Sequence, residues 1–189
     1  MSSVHTITSS ALTVFLAEIG DKTMLSTAIF AVNTRKHVLV LLTSTLAFTL
    51  SNTIIALAGY FVRGLVDLNL LQVVAGLILV VAGFWVVLSR EELHVEFSSR
   101  LHLIACFTAI LLMEMGDKTQ LTVFSLTLVH VNPVHVLLGA VLGYLLTNTI
   151  GVIATRVVTS RVEWRRVRVP AGVFTIILGF FTALRVLLH

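Results

Sequence analysis

The stretch "LAEIGDKTML", Leu16 to Leu25, places a glutamate, an aspartate and a lysine inside a hydrophobic run that extends from about residue 7 to residue 32. A second stretch, "LMEMGDKTQL" from Leu112 to Leu121, repeats the pattern in another apolar run, with five of the six central letters identical. An ionisable side chain near the middle of a bilayer costs at least about 2.5–3.5 kcal/mol. We therefore expect these charged residues to serve a function and not only packing.

The composition is that of an integral membrane protein. Of the 189 residues, 57% are hydrophobic and 12% are charged, whereas a soluble domain carries about 25% charged residues. A large soluble helical core is disfavoured because no polar face recurs along the apolar segments. Six of these segments approach the roughly 20 residues that cross a bilayer as a helix, at about 7–32, 37–62, 68–89, 101–128, 134–158 and 168–188. The sequence thus predicts an all-α integral membrane protein with six transmembrane helices.

An internal duplication relates the two halves of the chain. Glu114 follows Glu18 by 96 residues, and the same offset carries "LSNTI" at 50–54 onto "LTNTI" at 146–150. Each copy has three spans, an odd number, so the second copy enters the membrane from the opposite side. This predicts a 3+3 inverted-topology repeat, the architecture of many secondary transporters. The first repeat is residues 1–88, a connector is 89–100, and the second repeat is 101–189.

The basic residues indicate the orientation. Nine Lys and Arg residues fall in the loops on one side of the predicted spans and two fall on the other. Because positively charged loops stay cytoplasmic, both termini are predicted to lie outside and the connector 89–100 in the cytoplasm. The orientation of the protein in the membrane also explains why Lys and Arg outnumber Asp and Glu. No basic stretch interleaved with aromatic residues is present, so the lipid bilayer and not nucleic acid is the predicted partner.

The four motif acids are the candidate metal ligands. On continuous helices Glu18 and Asp21 would share one face, and so would Glu114 and Asp117. Inverted symmetry allows the two motifs to meet at the pseudo-twofold axis. The sequence therefore predicts one central cation site with four carboxylates.

Glycines and lysines accompany the acids. Gly20 and Gly116 stand between the acids of each motif and allow local unwinding or close approach of helices. Lys22 and Lys118 follow directly after the aspartates. The alternative to a cation site is a structural lattice of ion pairs between the acids and these lysines.

Further oxygen donors lie in or near the motifs. Carboxylates, carbonyls and hydroxyls suit Ca²⁺, Mn²⁺ or Mg²⁺, whereas Zn²⁺ and Cu⁺ favour imidazole and thiolate, which the motifs lack. Met24, Met113 and Met115 either favour a softer ion such as Mn²⁺ or fill space. The supporting or proton-coupling candidates are Lys22, Lys118, Thr23, Thr119, Ser26, Thr122, Asn52, Asn148 and Gln120.

The roles of two asparagines inside apolar spans can be interpreted in two ways. Asn52 and Asn148 are each flanked by hydroxyl residues. An amide can form a hydrogen bond across helices, or its carbonyl oxygen can contact an ion directly or through another ligand. The sequence leaves both open.

The duplicated motif resembles that of the Gdt-type cation/proton antiporters, a family that includes bacterial manganese exporters. Two copies of Glu-x-Gly-Asp-Lys/Arg-Ser/Thr, one per three-helix repeat, carry the resemblance over essentially the whole chain. It implies transport of Ca²⁺ and Mn²⁺ against protons, with the motif acids as the cation site. We expect the protein to lie in the plasma membrane of a prokaryote. One departure is visible. The Gln that often follows the motif is present as Gln120, but the first copy has Met24.

These observations together predict a secondary active transporter that exports Mn²⁺, or Ca²⁺, in exchange for protons. The cation is then a transported substrate, and no cofactor is expected. No Gly-x-x-x-x-Gly-Lys-Ser/Thr loop for ATP occurs. A passive divalent-cation channel with an acidic ring is the alternative. An intramembrane hydrolase is disfavoured, since the acids lack a His cluster that could activate water, and no enzyme activity is expected. The sequence is compatible with a homo-oligomer.

Overall fold

The computed structural model describes residues 3–65, 67–88, 102–157 and 164–187. Every regular element in these ranges is an α-helix, and the connector predicted at 89–100 lies outside them. The eight helices are α1 Ser3–Glu18, α2 Lys22–Thr34, α3 His37–Arg63, α4 Leu68–Leu88, α5 His102–Glu114, α6 Lys118–Val129, α7 Pro133–Val157 and α8 Trp164–Leu187.

The first apolar segment of each half is two helices and not one. The chain turns at Gly20 (φ 73°) and at Gly116 (φ 76°), in the left-handed region that glycine adopts without steric cost. Helix α2 then starts after Asp21 (φ −82°, ψ 165°) and α6 after Asp117 (φ −83°, ψ 166°). The expected unwinding at the glycines is therefore confirmed.

The break changes the placement of the acids. Glu18 and Glu114 are the last residues of α1 and α5, whereas Asp21 and Asp117 precede α2 and α6. The expectation that each pair shares a face of one continuous helix is wrong, because the left-handed glycine redirects the chain between the two acids.

Elements of the two halves pack against each other. Helix α1 packs mainly on α7, α4 packs on α8, and α3 contacts α5, α6 and α7. The α4–α8 contact is close enough that a Cβ atom on Gly76 would lie 2.5 Å from the carbonyl oxygen of Gly179. The rings of Phe48 on α3 and Tyr144 on α7 stack with their centroids 4.1 Å apart. The two halves therefore share one interior.

The distribution of side chains is that of a protein in lipid. Small and hydroxyl residues such as Ser10, Thr27, Ser44 and Ala47 are fully buried between helices, as expected where transmembrane helices approach closely. Large apolar side chains face outward along α3 and α7. These include Leu42, Leu46, Leu50, Ile54, Leu138, Leu142, Leu146 and Ile150. His37–Arg63 and Pro133–Ala154 are long and apolar enough to cross a membrane.

Candidate cation site

Two ion pairs cross between the duplicated motifs. The Lys22 ammonium donates to Oδ1 of Asp117 at 2.9 Å, and the Lys118 ammonium donates to Oδ1 of Asp21. Each lysine thus pairs with the aspartate of the other motif. Neither aspartate side chain caps the helix that follows it, and the two helix breaks meet in the interior of the protein.

Three of the four predicted acids converge. One carboxylate oxygen from each of Glu18, Asp21 and Asp117 lies within 4.8 Å of the other two. The three residues are at most 2% exposed. Buried carboxylates this close repel one another unless cations compensate them, and the ammonium groups of Lys22 and Lys118 supply part of that compensation.

Glu18 is held by the threonines of both motifs. Thr23 donates its hydroxyl to Oε2 of Glu18 at 2.7 Å, and Thr119 donates to Oε1. Hydroxyl donors stabilise a carboxylate in its charged form. The two threonines therefore hold the Glu18 carboxylate in place beside Asp21 and Asp117.

Glu114 differs from its counterpart Glu18. It is fully buried, and neither of its carboxylate oxygens has a hydrogen-bond partner within the described parts of the chain. The charges of Glu18, Asp21, Asp117 and Lys118 lie close enough to interact with its carboxylate. Glu114 is nevertheless not one of the three acids whose oxygens converge. The two copies of the motif are thus unequal in the folded protein.

The two lysines are also unequal. The Lys22 side chain is 27% exposed, whereas that of Lys118 is 1% exposed. Lys118 also approaches Oδ2 of Asp117, at 3.6 Å. The buried Lys118 is therefore shared between both aspartates, whereas Lys22 is only partly buried.

Ser26 and Thr122 lie apart from the carboxylates in their hydrogen bonding. The Ser26 hydroxyl donates to the Met113 sulfur at 3.5 Å, and the Thr122 hydroxyl donates to the backbone oxygen of Lys118 at 2.9 Å. Met115 is exposed. Thr122 thus bonds within its own helix, and the Met113 thioether belongs to a contact between the two halves.

Met24 and Gln120 occupy equivalent positions in the two motifs, and each accepts a hydrogen bond from the glycine of its own motif. The Gly20 N–H donates to the Met24 sulfur at 3.3 Å, and the Gly116 N–H donates to Oε1 of Gln120 at 2.8 Å. Gln120 Nε2 also donates to the Ser51 hydroxyl at 2.6 Å. Each side chain therefore closes the glycine turn of its motif. Sequence reasoning missed this role of Met24, although its 96-residue relation to Gln120 was available as a signal.

The asparagines use their amide nitrogens within their own helices. Asn52 Nδ2 donates to the backbone oxygen of Phe48 at 3.1 Å, and Asn148 Nδ2 donates to that of Tyr144 at 2.9 Å. Both residues are fully buried. The Phe48–Tyr144 pair was also missed by sequence reasoning, although the two positions are related by the same offset.

Comparisons with known proteins identify the family of this chain. The family of the divalent cation/proton antiporter GDT1 matches residues 6–94 and 102–188. A protein of Vibrio cholerae serotype O1 (strain ATCC 39541 / Classical Ogawa 395 / O395), named "Putative manganese exporter", is 30% identical over 168 residues, which are 87% of this chain and 84% of that protein. No solved structure is a significant match.

The family and the relative are transporters, so this chain is not an enzyme, and the metal is its substrate and not a cofactor. The first matched segment ends at residue 94, within the connector, and the second begins at residue 102, so that each half of the duplication carries one match. The chain is an integral membrane protein that belongs to the divalent cation/proton antiporter family GDT1.

Proposed function

We propose that this protein exports Mn²⁺, with Ca²⁺ as a second substrate, in exchange for protons. The observation that carries the proposal is the convergence of Glu18, Asp21 and Asp117 between two crossed lysine–aspartate pairs. The name of the Vibrio cholerae relative supports Mn²⁺ as the first substrate to test.

The donor set favours a hard divalent cation. Carboxylate and hydroxyl oxygens are the preferred ligands of Mn²⁺, Ca²⁺ and Mg²⁺. Glu18, Asp21 and Asp117 supply the first ligands. Glu114, the fourth buried acid, lies near enough to the other three carboxylates to be repelled by their charges and completes the site when a cation is bound. Thr23 and Thr119 orient Glu18.

The charge balance favours exchange with protons. Four carboxylates and two ammonium groups leave a formal charge of −2, which either one divalent cation or two protons neutralise. A charged cavity is costly to close in a medium of low dielectric constant. Lys22 and Lys118 both pair with site aspartates, so they count in this balance. We therefore propose exchange of one M²⁺ for two H⁺.

Six spans in a 3+3 inverted repeat are the proposed architecture. Helices α1 and α2 form one broken span, α5 and α6 form its counterpart, and α3, α4, α7 and α8 are the other four. Broken helices at the interface of two repeats are typical of alternating-access transporters. We place both termini outside a prokaryotic plasma membrane and the connector 89–100 in the cytoplasm.

A passive channel with an acidic ring is the competing function. A channel needs a hydrated path past the acids, whereas Lys118 is 1% exposed and bound between two aspartates. The buried lysine favours a site that opens alternately to either side.

The test is flux in proteoliposomes that contain the purified protein and no other component. Mn²⁺, Ca²⁺ and Mg²⁺ uptake is measured under an imposed pH gradient, with protein-free vesicles as the control. We expect saturable Mn²⁺ uptake that is accompanied by counterflow of protons. Fast, non-saturating flux without proton movement would identify a channel instead.

A further inference from the structure

Asn52 and Asn148 hold their amide groups in the same way. They are related by the 96-residue offset, and each Nδ2 bonds to the carbonyl oxygen one turn earlier in its own helix. One N–H of each amide is therefore used within its own helix. The hydrogen bond also fixes the rotation of the amide, so that Oδ1 projects away from the helix backbone.

Both amide oxygens lack a hydrogen-bond partner. Asn52 Oδ1 and Asn148 Oδ1 are buried and unpaired within the described residues. A buried acceptor left without a partner costs about 1–3 kcal/mol, and such atoms in native proteins call for a functional explanation. An apolar side chain of similar volume would fill the same space without that cost.

Asn148 lies level with the first motif. The residue before it, Thr147, donates its hydroxyl to the backbone oxygen of Phe15 at 3.2 Å. Three residues after it, a Cβ atom on Gly151 would lie 2.8 Å from Cγ of Met24. Phe15 and Met24 stand on either side of the Glu18–Thr23 motif, so α7 crosses that motif at Asn148.

Asn52 lies beside the second motif. Its neighbour Ser51 accepts a hydrogen bond from Gln120, which in turn closes the turn at Gly116. Phe48 and Asn52 are four residues apart and share a face of α3. Phe48 stacks on Tyr144 across the interface between the two halves, and Asn148 likewise follows Tyr144 by four residues. Both asparagines therefore lie on the helix faces that meet at this interface.

We propose that the amide oxygens of Asn52 and Asn148 coordinate the transported cation together with Glu18, Asp21 and Asp117. The inference rests on the proposed cation transport and adds two neutral ligands to it. Neutral ligands leave the charge balance unchanged. With the Glu114 carboxylate that completes the proposed site, six side chains then supply oxygens. This suits cations that take six or more oxygen ligands, such as Mn²⁺ and Ca²⁺, and disfavours tetrahedral Zn²⁺.

Two substitutions separate a ligand from a structural role. Asn148→Leu removes both the donor and the acceptor, whereas Asn148→Asp removes the donor to Tyr144, keeps an oxygen at the site and adds a negative charge. The same pair is made at Asn52. Mn²⁺ alone is the probe, and its dissociation constant is measured by calorimetry on the purified full chain in detergent.

We expect each Leu variant to bind Mn²⁺ about tenfold or more weakly. Each Asp variant keeps an oxygen and adds a negative charge, so it should bind Mn²⁺ at least as tightly as the wild type. Asn33→Leu, at an exposed position in α2, is the matched control and should bind as the wild type does. Equal weakening by Leu and Asp would show that only the donor matters, and unchanged binding in the Leu variants would show that neither group matters. Either result overturns the amide ligands.

A second measurement tests the same ligands if the Leu variants do not fold. In Asn52→Ala and Asn148→Ala, water takes the place of the amide oxygen. Electron–nuclear double resonance of bound Mn²⁺ in ²H₂O should then count one more coordinated water per variant, and an unchanged count would overturn the proposal. Wild-type protein that neither binds nor carries Mn²⁺ or Ca²⁺ would overturn the proposed function, and the amide ligands with it. Wild-type flux with unaffected asparagine variants would overturn the amide ligands alone.

Discussion

Phe48 and Tyr144, 96 residues apart in the chain, stack their rings at a centroid distance of 4.1 Å and an interplanar angle of 23°. Both residues are fully buried. The duplication therefore packs equivalent positions against each other, as expected at an axis that relates two repeats. The crossed pairs Lys22–Asp117 and Lys118–Asp21 show the same reciprocity at the helix breaks.

Neutral substitution of the motif acids should abolish or strongly impair flux. Glu18→Gln, Asp21→Asn, Glu114→Gln and Asp117→Asn each remove a charge, preserve shape and lower the insertion cost. Mn²⁺ uptake into proteoliposomes is the measurement. Asp67→Asn, at an exposed position, is the control and should transport normally. Full transport by two or more of the four variants would contradict a central site of these acids.

The membrane topology can be measured by cysteine labelling. A cysteine at position 98 should react with a membrane-impermeant reagent only from the cytoplasm, and one at Ser3 only from outside, because the predicted loops with most Lys and Arg residues stay cytoplasmic. The native Cys106 is buried, and its replacement by Ala provides the background. If both positions were labelled from one side, the count of six spans and the inverted repeat would be wrong.

Transport should be nearly independent of membrane voltage. One M²⁺ exchanged for two H⁺ moves no net charge. Mn²⁺ uptake is therefore measured at clamped voltages with the pH gradient held fixed. Lys22→Gln or Lys118→Gln should introduce voltage dependence, since each removes one positive charge from the site.

Lys36→Gln is the control for these variants because Lys36 is exposed and lies at the boundary between α2 and α3. It should leave the voltage response unchanged. A steep voltage dependence of the wild type would exclude electroneutral exchange.

Replacing Gly143 with Ala should destabilise the contact between α1 and α7. The new Cβ atom would lie 2.4 Å from the backbone oxygen of Ala11, so one helix must shift. Overpacking of this kind costs about 1–3 kcal/mol, and the midpoint of thermal unfolding in detergent should fall. Gly64→Ala is the control, because its new Cβ atom would lie at an ordinary contact distance of 3.4 Å from the backbone oxygen of Phe61. Equal midpoints in both variants would contradict the close contact.

Stability should fall as the pH drops from about 6.5 to about 4 because of His130, in the connection between α6 and α7. Burial, with the nearby charges of His5 and Arg63, lowers the pKa of His130 from 6.5 to about 4. Between these values the unfolded chain binds the proton and the folded chain does not, so lowering the pH favours unfolding.

The thermal midpoint of the wild type should therefore decline across this pH window. His130→Gln cannot take up the proton but keeps a polar partner for the Thr6 hydroxyl, which lies 3.3 Å from Nδ1 of His130. Its midpoint should decline less than that of the wild type. Identical pH profiles would exclude His130 as the cause.

The sequence by itself determined the membrane character, the duplication and the candidate acids. These follow from local properties: apolar segments of bilayer length, charges that are costly inside them, and a 96-residue offset that recurs in separate motifs. Gly20 and Gly116 also indicated where a helix could unwind, because only glycine adopts the left-handed turn without strain.

Only the tertiary structure decided how the motifs are used. Nearly identical letters predict equal roles, yet Glu18 receives two threonine hydroxyls while neither oxygen of Glu114 has a hydrogen-bond partner in the described residues. Likewise, Met24 and Gln120 close equivalent turns with different chemistry. Such differences depend on distances between side chains about a hundred residues apart. Those distances are determined by how α1 and α2 pack against α5, α6 and α7. The repeated motif alone does not determine that packing.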